Sequence, residues 1–294
     1  MKRNRRPSNT VVILTALCFA FALSSVMLWA TLRHRRAAEM QIRDLAEDTF
    51  IWGDFTASRI PTTLVFSDVF TFRVFDSNTG QSRLLYDERT DSIEKLRLLL
   101  SSETGDVRGE EAHLLPCKNL WDLHRIYPIF TQMNKTPRLQ LASRLNPGLI
   151  RSSNIIYIGR YGGMRELEPF FPRHPVSVEI GFGGPRLYDA SDSVSYSPGR
   201  EGDRINDYVL LAKMPGPKNV TILYIVSFSE LGSHEMVRQI SRPTSLDELK
   251  NRINSRFGEI PAYYLLIMRV QGFEHTVVHS ELLALHSLAF DQVP

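Results

Sequence analysis

An α/β fold behind an N-terminal apolar helix is what this sequence predicts, with α+β as the alternative, and three observations carry that reading. Residues 11–32 form a run of 22 positions without a charge. From position 119 onward, short apolar runs alternate with segments of helical period. The run from Asn154 to Gly159 ends in glycine behind a helix-like segment, as strands do in a mixed, mostly parallel sheet with flanking helices.

The chain divides accordingly into a basic tail (1–10), a transmembrane helix (11–32), a juxtamembrane helical stalk (33–48), an N-terminal part of the soluble domain (49–112) and the α/β domain (113–294). A helix rises about 1.5 Å per residue, so 22 residues cross the hydrocarbon core of a bilayer. A cleaved signal peptide competes with this reading, because Lys2, Arg3, Arg5 and Arg6 precede the run. Signal h-regions are shorter, however, and this run continues past Ala22 to Trp29 and ends in Arg33-His34-Arg35-Arg36. Four cations before the helix and three after it favour an N-terminus inside and the large domain outside the cytoplasm. Ala16, Ala20 and Ser24 form a small-residue stripe that would suit a weak homodimer. Beyond the run, Ala38, Ile42 and Leu45 continue the helix as a stalk to about Asp48.

Seven of the 35 basic residues lie in the two flanks of that run, which leaves 28 against 32 acidic ones, a net −4. A domain with an acidic excess is not expected to bind nucleic acid. The basic flanks suit lipid headgroups, so the bilayer is the expected partner of residues 11–32. Two cysteines, Cys18 and Cys117, offer no disulfide framework within the soluble domain, and its stability must come from core burial. With 43% apolar residues the chain has a globular composition.

Within the domain, residues 62–75 are rich in β-branched and aromatic types and predict one or two strands before the turn-forming cluster 76–80. Asp91 to Glu94 predicts a helix start, with Ile93, Leu96, Leu99 and Leu100 as its apolar stripe. Residues 101–112 read as a charged loop and internal boundary. A helix at 119–132, a strand at 138–142, a brief helix near 147–151 and a strand at 154–159 follow. The apolar runs 207–214 and 220–228 suggest a hairpin across Pro215 to Asn219. Helix 232–241 stops before Pro243, and Ser245-Leu-Asp-Glu248 matches a capping box ahead of the stripe Leu246, Leu249, Ile253 and Phe257. Two strand-like runs, 262–271 and 275–285, flank Gly272.

Strong chemical motifs are absent: no Walker loop, no nucleophile elbow, no Cys-x-x-Cys and no complete Gly-x-Gly-x-x-Gly, since Gly181-Phe-Gly-Gly184 fails at Arg186. His234-Glu235 opens like a zinc-protease helix, but Arg238 stands where the second ligand belongs. His275 and His279 would share a zinc ion only on a helix, and Thr276-Val277-Val278 favours a strand. No metal and no cofactor is expected. Cys117 reads as a semi-buried thiol. Two loops after apolar strands draw the ligand-binding expectation: Gly159, Arg160, Tyr161, Gly162 and Gly163, and Ser227, Ser229, Gly232 and Ser233. Ligands of open α/β sheets gather at the carboxyl ends of strands, and free N–H groups at a helix start attract anions. The competing reading makes these ordinary strand-to-helix turns with serine caps.

Over about residues 117–285 the chain resembles an uncharacterised bacterial family in which a similar α/β domain follows a membrane segment or a winged-helix domain. The resemblance rests on Ser153 to Gly159, Asp207-Tyr208-Val209-Leu210 leading to Pro215-Gly216-Pro217, Thr221-Ile222-Leu223, and Gly232 with the segment from Pro243 to Leu249. The chain departs from the family at Ser227-Phe228-Ser229, where members often carry another glycine and a small residue. These are sheet and turn elements, so the resemblance implies a shared fold and a sensory or regulatory role. The expected function is a membrane-tethered, non-enzymatic domain at the bacterial inner membrane that senses an unknown small ligand or protein partner. The alternatives are a hydrolase or transferase using Asp207, His234 or Glu235, and a structural scaffold of an envelope complex.

Overall fold

The computed structural model of the chain describes residues 9–76, 81–86, 107–181, 184–273 and 276–289, with the backbone alone for 9–22, 34–35, 70, 72–76, 82–86, 107–113 and 180–181. Its first element is one continuous helix, α1 (Asn9–Glu47). Among the described residues no helix is long and apolar enough to cross a membrane. More than half of the apolar run 11–32, and the stripe residues Ala16 and Ala20, have side chains outside the described residues.

At its C-terminal end α1 runs into the body of the protein. Leu45 and Ala46 are buried with Phe50, Ile51, Trp52 and Phe55, the last on the short helix α2 (Gly53–Thr56). Polar groups of this segment are tied to distant strands and helices. Trp52 Nε1 donates to the carbonyl of Ile240 at 2.9 Å, Tyr264 Oη donates to that of Phe50 at 3.0 Å, and the buried Lys213 pairs with Asp54 at 2.6 Å. The stalk is thereby part of the core at its far end.

The main sheet is mixed. It is built from β1 (Thr62–Phe66), β5 (Arg138–Leu141), β6 (Asn154–Arg160), β11 (Arg204–Pro215), β12 (Thr221–Ser227), β13 (Tyr264–Phe273) and β14 (Thr276–Ser287), with β10 (Gly199–Glu201) on β11. The order β14-β13-β11-β12-β6-β1-β5 places the parallel pairings in the half β12-β6-β1-β5 and antiparallel ones in the rest. Period-two burial divides each strand between two cores. Leu64, Phe66, Ile156 and Ile158 face one, where α1, α3 (Cys117–Gln132), α5 (Glu230–Ile240) and α6 (Pro243–Phe257) supply Leu45, Ile126, Phe130, Val237 and Ile253. Val65, Ile155 and Tyr157 face the other, against α4 (Pro147–Ser152) and the 3-10 turns after β6. Two three-stranded antiparallel sheets stand outside: β2 (Val69–Asp76), β3 (Gln81–Tyr86) and β4 (Val107–Leu114), then β7 (Val176–Gly181), β8 (Gly184–Asp189) and β9 (Val194–Tyr196).

Several expectations shift against this frame. The division at 112/113 does not separate two cores, because β1 from before it lies between β6 and β5 from after it. Of the expected loop 101–112, residues 101–106 lie outside the described residues and the rest belongs to β4, whose backbone pairs with β2. Edge strands tolerate charge, so the acidic composition there does not oppose a strand. The helix expected from Asp91 lies outside the described residues. Helix α6 starts at Pro243, two residues before the expected capping serine, because a proline at the first helical position loses no hydrogen bond. Gly272 lies inside β13, opposite Val277, rather than between strands. The hairpin joining β11 to β12 is as expected.

Candidate functional site

Parallel pairing of β6 with β12 sets Gly159 beside Val226 and Arg160 beside Ser227, so the two expected loops leave the same sheet edge side by side. The chain then diverges: β12 continues into α5 over the first core, while β6 continues into turns over the second. Such a divergence opens a crevice at the carboxyl ends of strands, where ligands of open α/β sheets bind.

The loop groups themselves are largely engaged within the chain. Asp207 on β11 is buried, and its carboxylate takes the place at the start of α5 where an external anion was expected. Its Oδ2 accepts from Ser229 N at 3.1 Å, Ser229 Oγ at 2.6 Å and Gly232 N at 2.9 Å, while Oδ1 accepts from Tyr208 N and Phe228 N. Burial raises this carboxyl above its ordinary range, and those hydrogen bonds pull against it. Ser229 caps Leu231 N, while Ser227 Oγ donates to the Ser229 carbonyl and accepts from Ser233 N at 3.0 Å. The glycines serve internal contacts as well. A Cβ on Gly159 would lie 2.1 Å from Ser67 Cβ, one on Gly163 would lie 2.7 Å from Ser67 Oγ, and one on Gly232 would meet Asp207 Oδ2 at 2.7 Å. The space beside these glycines is thus taken by Ser67 and Asp207. Tyr161 packs its ring between Phe171 and Phe228, and Gly162 is exposed. Arg160 pairs with Glu230 at 3.6 Å.

Beside these loops, α3 and α5 border a cleft of 390 Å³, lined by Cys117, Lys118, Trp121, Arg125, Glu230 and His234. Burial lowers the Lys118 amine, against the attraction of the nearby Glu230, Asp122 and Asp207. His234 Nδ1 lies 2.6 Å from Oδ1 of Asp122, which is buried on α3. The other oxygen of Asp122 has no hydrogen-bond partner among the described residues. Burial raises the Asp122 carboxyl, and the contact with His234 opposes that rise. A histidine held through Nδ1 by a carboxylate keeps Nε2 for a ligand or a proton. The cleft can therefore present two cations, an imidazole nitrogen, one carboxylate and an aromatic face.

Of these lining groups the sequence singles out Cys117 and His234 but does not join them. Lys118, Trp121 and Arg125 recur at i, i+3 and i+7, and Glu230 and His234 at i, i+4, so each set shares a helix face. That spacing was the available signal. What it could not tell was that the two faces meet. Glu235, the other carboxylate considered for catalysis, is buried and bound to Arg238, Gln239 and Ser280. His279 lies on β14, His275 lies outside the described residues, and the latter holds also for part of Gly181 to Gly184. Comparison of the chain with family models, curated proteins and solved structures returns no match, so the reading of this cleft rests on its geometry.

Proposed function

We propose that this chain is a membrane-tethered, non-enzymatic ligand-binding domain. Residues 11–32 hold it in the inner membrane of a bacterium, as the family resemblance implies, and the folded part stands outside the cytoplasm. The ligand is small and carries an anionic group, which binds in the cleft between α3 and α5. One observation carries this reading: Lys118, Arg125 and His234 line a single cleft next to the edge where β6 and β12 part. The full chain in neutral detergent should bind inorganic phosphate or citrate saturably by calorimetry. Lys118→Ala should weaken that binding by about 1.5–3 kcal/mol, the range for a hydrogen bond to a charged group. Binding indifferent to both Lys118→Ala and Arg125→Ala would remove the reading. The anchor has its own test: the protein should stay in membranes through an alkaline carbonate wash, and a mature form beginning after residue 22 would refute it.

A hydrolase or transferase is the second reading, favoured by the 2.6 Å contact between His234 and Asp122. His234 Nε2 would act as general base, with Asp122 as the positioning residue. Asp207 and Glu235 take no part in this version, because their oxygens are bound within the chain. Ester hydrolysis by the full chain that is lost in His234→Ala, and reduced in Asp122→Asn with a shifted pH profile, would establish it. Hydrolysis unchanged in His234→Ala would dismiss it.

A further inference from the structure

Helix α3 begins with its amphipathic pattern reversed. In its first two turns the polar Asn119 and Asp122 are buried, while Leu120 and Trp121 are 57% and 64% exposed. Further along, Ile126, Ile129 and Phe130 face the core as a helix of a folded domain requires. The reversal has an internal cause on one side only: Asn119 donates to the Ser67 carbonyl and Asp122 holds His234. Among the described residues nothing in the packing requires large apolar groups on the outer side. The exposure also extends back along the chain, since Leu114 and Leu115, immediately before the cleft residues, are 50% and 38% exposed. Four large apolar side chains thus stand in eight positions beside a cleft whose polar groups include Lys118, Arg125 and His234. Exposed apolar surface next to converging polar groups marks a binding site.

We infer that the ligand of this cleft is an anionic amphiphile, with a phosphate- or carboxylate-type head between Lys118, Arg125 and His234 and an apolar chain along Trp121 and Leu120. This rests on the anion-binding reading above. The cations sit within a cleft rather than on a flat face, so the occupant is one molecule taken from solution and not a bilayer surface.

Cys117 lines the same cleft and is exposed, so its alkylation reports occupancy at the site itself. The full chain in nanodiscs of neutral lipid is treated with iodoacetamide, and Cys117 modification is read by peptide mass in the presence of inorganic phosphate, n-hexyl phosphate or hexanol. Hexyl phosphate should protect Cys117 at concentrations at least about tenfold lower than phosphate, since each buried methylene raises affinity about fourfold. Hexanol should not protect. Trp121→Ala should shrink the advantage of hexyl phosphate over phosphate, whereas Lys118→Ala should weaken both. If phosphate and hexyl phosphate protect equally, the amphiphile is excluded while the anion site stands; if neither protects, both fall. Protection by anionic-lipid nanodiscs without added probe would assign the face to a bilayer. Protection that depends on protein concentration would assign it to a second copy. Either result overturns the inference.

Discussion

The Oδ2 of Asp207 accepts the backbone N–H of Gly232 at 2.9 Å, so a carboxylate from strand β11 closes the N-terminus of the helix that follows the neighbouring strand. The same carboxylate gathers the N–H groups of Tyr208, Phe228 and Ser229. Removing it leaves several buried donors without an acceptor, each costing about 1–3 kcal/mol. Asp207→Ala should therefore lower the stability of the domain by about 2–4 kcal/mol in urea unfolding, whereas Arg160→Ala should change it by less than about 0.5 kcal/mol. Equal effects of the two would show that the carboxylate is not the organiser of this edge.

Gly159 and Ser67 occupy each other's space. A Cβ on Gly159 would overlap Ser67 Cβ, so Gly159→Ala should destabilise by about 1–3 kcal/mol, as overpacking of a tight interior does. Ser67→Gly in the same chain should recover only part of that loss, because Gly159 also sits at φ +157°, a backbone conformation that a Cβ disfavours. A double variant no more stable than Gly159→Ala alone would place the strain elsewhere.

Glu235 gives the fold an acid-sensitive point. Burial alone would raise its carboxyl; hydrogen bonds from Arg238, Gln239 and Ser280 and the charge of Arg238 outweigh burial and hold it below the ordinary value of 4.5. A carboxyl lowered on folding contributes stability that is full above 4.5 and is lost as pH falls through the lowered value. Glu235→Gln should flatten the pH dependence of stability in that acid window. An unchanged acid limb in thermal unfolding would contradict this.

The join between α1 and the domain should be energetically firm. Trp52→Phe removes the donor to the Ile240 carbonyl and leaves much of the ring packing, for a loss of about 1 kcal/mol. Phe50→Ala opens a cavity against Tyr264, which its ring stacks at 4.9 Å, for a loss of about 3–5 kcal/mol. If denaturant unfolding of both variants matches the parent chain, the segment after α1 is not part of the core.

The candidate cleft was half legible. Each helix face carries its own spacing, and the strand-to-helix loops share one sheet edge because parallel strands with short connections put their turns on one side. The pairing of His234 with Asp122, 112 residues earlier, left no local trace. Nor did the contact of Ser67 with Gly159, which fills the space beside one of the two expected loops.

The apolar run, the stalk, most helices and strands of the second half and the hairpin across Pro215 to Asn219 are written into local stretches of the chain, because periodicity and turn chemistry act over a few residues. Long-range packing sets the remainder. It placed β1 in the middle of a sheet made mainly from later residues, filled the start of α5 with Asp207 and set α3 against α5 to form the cleft. Those outcomes depend on which buried faces pack and which buried polar groups find partners. Such choices are made between residues far apart in the chain, where local propensity carries no information.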